Sequence, residues 1–241
     1  MRIAVALPAD ATPQDRALWW GSGVLIFSVA LLIGLNSFYV LPAWNMAREG
    51  NVATFFHSAI LAALGLTLVL IGSLVAWGRR PQVRVGHAYV WLASGVLFGY
   101  FAIDEAIEVH ERVAMAVWKS IGIWDRILHY EISYAVWEAL FAPIFIVGGL
   151  LLLVLMVAHR RYSPSFFWMG LAALAFWGMA LMLEFVGLTY LHSFRTSYGV
   201  AVFYEESFEL LGSTVLLLAS VLMLRGLLGW GDREGRPPIV E

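Results

Sequence analysis

The sequence predicts an all-α, polytopic membrane protein: a helical bundle of six transmembrane spans with both termini in the cytoplasm. Three observations lead there. Hydrophobic residues make up 61% of the chain and charged residues 13%, against roughly 25% charge in an ordinary soluble domain. Apolar runs of about 18 residues or more recur along it, each long enough to cross the hydrocarbon layer as a helix. Arginine is unevenly distributed between those runs. Strands of a β-barrel are a poor fit, because period-two alternation is absent and the runs are too long.

The elements are taken in chain order. Residues 1–16 form a short cytoplasmic arm, since the apolar stretch MRIAVALP is brief and Pro8, Asp10 and Asp15 break any apolar continuation. Thr12 caps the first helix, with Pro13 at its first position and Asp15 set against the dipole. Span 1 covers about 17–43 and ends before REGN at 48–51. Span 2 covers about 55–78 and is closed by GRRPQVR at 78–84. Span 3, about 85–118, runs to SIGIWDR at 120–126, and span 4, about 127–158, runs to HRRYSP at 159–164. Ser163 caps span 5, about 164–194, with Pro164 at the first helical position. Span 6 covers about 199–227, and 228–241 is a cytoplasmic tail. Without internal repeats, 17–227 is one membrane domain.

Orientation comes from the basic residues. Arg2, Arg16, Arg79, Arg80, Arg84, Arg160, Arg161, Arg225, Arg233 and Arg236 fall on one side of a six-span layout, ten against five opposite. That side is cytoplasmic by the positive-inside rule, and a bacterial inner membrane is the expected location. The chain has no cysteine, which excludes disulfides and thiolate ligands. A net charge of −2 gives no reason to expect nucleic acid as a partner. Lys119, the one lysine, lies in a loop, which argues against a buried Schiff base. Membrane lipid is the expected surrounding partner, and nothing in the sequence sets an oligomeric state.

The stretch FAIDEAIEVHERV, 101–113, carries Asp104, Glu105, Glu108 and Glu111 at the end of a long apolar run. Counting from the inner arginines, Asp104 is 24 residues from Arg80 and Glu138 is 22 from Arg160. Glu184 is 23 from Arg161, and Glu205 is 20 from Arg225, with Glu206 and Glu209 beside it. At about 1.5 Å per residue these acids meet in one layer near the outer membrane boundary. As a continuous helix, span 3 gathers its acids on an arc of roughly 120° and turns His110 away. Such stripes are costly against lipid and should face inward, giving a core of spans 3 to 6.

So many carboxylates need counter-charge. A bound divalent metal is the leading answer: iron, manganese or zinc, with calcium as a further candidate. The expected ligands are Glu105, Glu108, Glu138, Glu184, Glu206 and Glu209, with His192 or His57 as nitrogen donor. Asp104 or Glu111 would act as general base in an enzyme, an oxidoreductase or hydrolase, taking an apolar or lipid-like substrate from the outer leaflet. The Glu-x-x-His pairs of di-iron bundles and the HExxH motif are both absent. Two alternatives stand beside this reading. One is proton or cation handling, weakened by the apolar inner halves of the spans. The other is a non-catalytic subunit whose acids pair with Arg112, Arg126 and Arg195.

Smaller features take blander readings. Trp19, Trp20, Trp44, Trp77, Trp118, Trp124 and Trp230 fit an interfacial belt. Trp137 and Tyr204 are neighbours of acids and so candidates to border the site. Gly148, Gly149, Gly170 and Gly178 suit close helix contact, whereas His87 and His159 read as ordinary interfacial residues. Haem between two of His57, His129 and His192 is disfavoured by the acidic surroundings.

Overall fold

A computed structural model of the chain describes residues 13–37, 52–77, 86–110, 112, 113, 116, 117, 129–186 and 195–229, with only the backbone described at 129–142 and at a few helix ends. It is all-α. Among the described residues, six long helices succeed one another: α1 (Pro13–Ser37), α2 (Val52–Ala76), α3 (Gly86–Ile107), α4 (His129–His159), α5 (Pro164–Val186) and α6 (Arg195–Leu228). Five of them are long and apolar enough to cross a membrane, and α4 adds a shorter apolar stretch, Pro143–His159. Large apolar side chains such as Trp20, Phe27, Phe55, Leu66, Val96, Leu150 and Met182 are exposed on the outside of the bundle. Helices that are apolar on their outer as well as their inner faces need lipid around them, so the protein is membrane-embedded.

Several ends obey the local chemistry read from the sequence. α1 begins at Pro13 with Asp15 in its first turn. α5 begins at Pro164, and the Ser163 hydroxyl accepts the Phe166 amide at 3.3 Å, an N-cap bond. α6 stops where Gly229 takes a φ of 73°. Span 3 departs from expectation. α3 ends at Ile107, and Glu108 has a φ of 56°, a left-handed conformation that side chains with a Cβ rarely adopt. Helical backbone resumes at 109 after this turn. The continuous helix assumed for 85–118 is therefore broken, and the phase relation of Glu108 and His110 to Asp104 changes with it.

Packing centres on α2. Its stripe of Ala53, His57, Ile60, Leu61, Leu64, Leu68, Ile71 and Val75 is buried, matching the three-and-four spacing of one helix face. α2 packs on α3 most extensively and also on α6, which in turn packs on α5; α4 joins α5 and α3, and α1 lies on α6. The core of spans 3 to 6 expected from sequence thus gains α2 as a central member. A Cβ on Gly65 would stand 2.9 Å from the Gly95 carbonyl oxygen and from the Gly99 amide nitrogen, so only glycine allows α2 and α3 this close. Of the glycines singled out in the sequence, Gly148 packs against Leu97 and Gly170 against Met156, while Gly149 and Gly178 face open space.

The two ends of the bundle differ. At one, the Arg225 guanidinium pairs with the Asp15 carboxylate, joining the start of α1 to the end of α6. His87 and His159, at helix ends, pack together: the rings lie 5.2 Å apart between centroids, Trp91 packs on His159, and His159 is buried. The His159 Nδ1–H donates to the Leu155 carbonyl at 2.8 Å. Trp19, Trp20 and Trp77 are exposed, as an interfacial belt requires, while Trp44, Trp118, Trp124 and Trp230 lie outside the described residues.

Candidate metal centre

His57 sits on the buried stripe of α2, one turn from its start, where an apolar residue would continue the pattern. Glu105 lies in the last turn of α3. Glu209 and Ser213 are four residues apart on α6 and so share a face. The helix packing brings these three elements together at one point. His57 Nδ1 is 3.1 Å from Glu105 Oε1, and His57 Nε2 is 2.9 Å from Ser213 Oγ. Ligand atoms of His57, Glu105 and Glu209 all lie within 4.8 Å of one another. His57 and Ser213 are buried, while Glu105 and Glu209 are partly buried.

Neighbouring contacts hold the ligands in place. Ser58 donates to the Ala102 carbonyl at 2.6 Å, binding α2 to α3 one residue beyond His57. Trp177 of α5 donates its Nε1–H to the Glu209 carbonyl at 3.3 Å. Gly212 makes room for that ring, since a Cβ there would stand 2.8 Å from it. Trp177 is also stacked on Phe98 of α3, so one aromatic pair braces both acid-bearing helices.

Asp104, expected as a base, is buried and engaged. Its Oδ1 accepts the His110 amide at 2.8 Å, and its Oδ2 lies 2.7 Å from His110 Nδ1. His110 therefore does not point away; the turn at Glu108 folds it back onto Asp104. The second expected base, Glu111, lies outside the described residues, as does His192, and the side chain of Glu138 is likewise not described. Glu108, Glu184 and Glu206 stand outside the trio. Glu184 and Glu209 both come within electrostatic range of Glu205. Tyr204 is half exposed and packs against Phe203, whereas the Trp137 side chain is not described.

The donor set is one imidazole and two carboxylates. Two ligands about 2.1 Å from a shared ion at roughly a right angle stand about 3 Å apart, close to the His57–Glu105 separation. The hydroxyl of Ser213 suits either state of His57. It donates to Nε2 when Nδ1–H serves Glu105, and accepts from Nε2–H when Nδ1 is a ligand. Two carboxylates and one imidazole gathered in a buried space are a donor set that could hold a divalent cation.

Fold and site together define a membrane-embedded helical bundle with a buried His/Glu cluster of the kind that binds divalent metal. The chain belongs to the family described as a domain of unknown function, DUF8692, whose model matches residues 24–224. No curated protein and no solved structure matches it.

Proposed function

We propose that this is a six-span membrane metalloprotein, termini in the cytoplasm, whose centre is held by His57, Glu105 and Glu209 near the outer surface. The observation that carries this is the convergence of three ligand atoms within 4.8 Å from three helices distant in sequence. Mixed imidazole and carboxylate donors suit iron, manganese or zinc better than calcium, which prefers oxygen alone. Three protein ligands leave coordination positions for water, dioxygen or substrate, so the reaction class is oxidation or hydrolysis of an apolar or lipid-like molecule. Lipid-facing apolar surfaces around the bundle give such a substrate its route.

A second reading rests on the partners of His57. Both ring nitrogens already have one, Glu105 and Ser213, as a purely structural network would require. Elemental analysis of the purified protein separates the two. The metal reading expects about one equivalent of a divalent metal, lost in Glu105→Gln and Glu209→Gln while helix content is retained. Folded protein without metal after growth and purification in metal-replete conditions, or metal kept by both variants, would overturn it.

A further inference from the structure

We propose that the end of the bundle opposite His57 binds a water molecule between His87 and Trp91 of α3 and His159 of α4, a polar site separate from the candidate metal centre. None of these three side chains belongs to the trio, so the inference stands whether or not that centre holds metal.

His87 and Trp91 are four residues apart near the start of α3 and share a face, and His159 ends α4. The His87 and His159 ring centroids are 5.2 Å apart, those of Trp91 and His159 5.4 Å, and Phe166 of α5 closes on Trp91 at 5.2 Å. Trp91 is 0% exposed and His159 3%. Yet His87 Nδ1, Trp91 Nε1 and His159 Nε2 are all buried with no hydrogen-bond partner among the described residues. Polar atoms buried without a partner are costly, and native proteins nearly always satisfy them with protein or with water. The hydroxyls of Ser94 and Ser220 are also unpartnered. A serine, however, can turn onto the carbonyl one turn back, as Ser73 and Ser207 do. Rings held by packing have no such freedom.

The protons decide what fits. The His159 Nδ1–H donates to the Leu155 carbonyl at 2.8 Å, so Nε2 carries the lone pair and needs a donor. The indole Nε1–H of Trp91 only donates, and needs an acceptor. One small ligand must therefore accept from Trp91 and donate to His159. A water does both, and its third bond, of the about three that a buried water makes, suits His87 Nδ1 in either tautomer. A metal ion would satisfy the His159 lone pair but would meet the positive edge of the indole N–H. His87 is only partly buried, which gives water its way in. Bound there, the water ties the start of α3 to the end of α4.

Crystals of the native full-length protein, at a resolution that shows ordered waters, test this. The expected result is one peak within about 2.7–3.2 Å of both Trp91 Nε1 and His159 Nε2, with no anomalous signal. Ordered rings with no peak between them would overturn the proposal. So would a direct bond between the His87 and His159 nitrogens, or an anomalous peak, which would mark a metal instead. In detergent, the Trp91 Nε1–H resonance should show an NMR cross-peak to bound water that is lost in folded His159→Phe. Absence of that cross-peak from the native protein, or its persistence in the variant, would contradict a bridging water. The native map and spectrum decide the matter even if the variant does not fold.

Discussion

Ser213 touches His57 through Nε2 and so decides how the ring is held. Ser213→Ala removes the partner of Nε2 without changing a ligand. Metal affinity should fall by roughly 10–100-fold, read by competition with a chelator, while the protein stays folded. Glu108 makes a separate test of backbone. Glu108→Val puts a β-branched residue in the left-handed region and should lower stability by about 1–2 kcal/mol, whereas Glu108→Gly should not, as thermal unfolding in detergent will show. Residue by residue, the sequence was readable where type and position agree. His57 was one of two histidines expected as nitrogen donor, and Glu105 and Glu209 were two of the six acids expected as ligands. Ser213 was overlooked, although its place four residues after Glu209 was a usable signal. His110 was misplaced because phase counting presumes an unbroken helix.

The close approach of α2 and α3 sets the distance between His57 and Glu105, and Gly65 with Gly95 sets the approach. Gly65→Ala or Gly95→Ala forces a methyl against backbone atoms that cannot rotate aside. Each should cost about 1–3 kcal/mol and reduce metal occupancy, because the helices part near the ligands. Gly99→Ala is the control: a Cβ there meets nothing within 4 Å, so unfolding temperature and metal content should both be unchanged. Helix starts such as Pro13 and Pro164 were legible from cap chemistry. The end of α3 was not, since glutamate does not stop helices by type, and the turn is accompanied by the local Asp104–His110 bonds. The role of Gly65 was equally hidden, because helix spacing depends on which faces meet.

Across the whole molecule, lipid contact and internal charge are two sides of one design. Apolar side chains cover the outside of the bundle, and the trio of polar ligands is gathered at the inner faces of α2, α3 and α6. Apolar length made the membrane class plain from sequence, whereas the choice of three ligands among the many expected ones needed the packing. The Asp15–Arg225 pair joins the first helix to the last at one end of the bundle. Tags on the two termini should accordingly be cleaved together by protease added to one face of vesicles, the cytoplasmic face in the proposed orientation, and neither from the opposite face. The most direct test of the central claim is anomalous X-ray scattering from crystals of the native protein, collected above and below the metal absorption edge. A single peak about 2.0–2.6 Å from ligand atoms of His57, Glu105 and Glu209 is the predicted result. An ordered site with those three side chains resolved and no anomalous peak between them would contradict it.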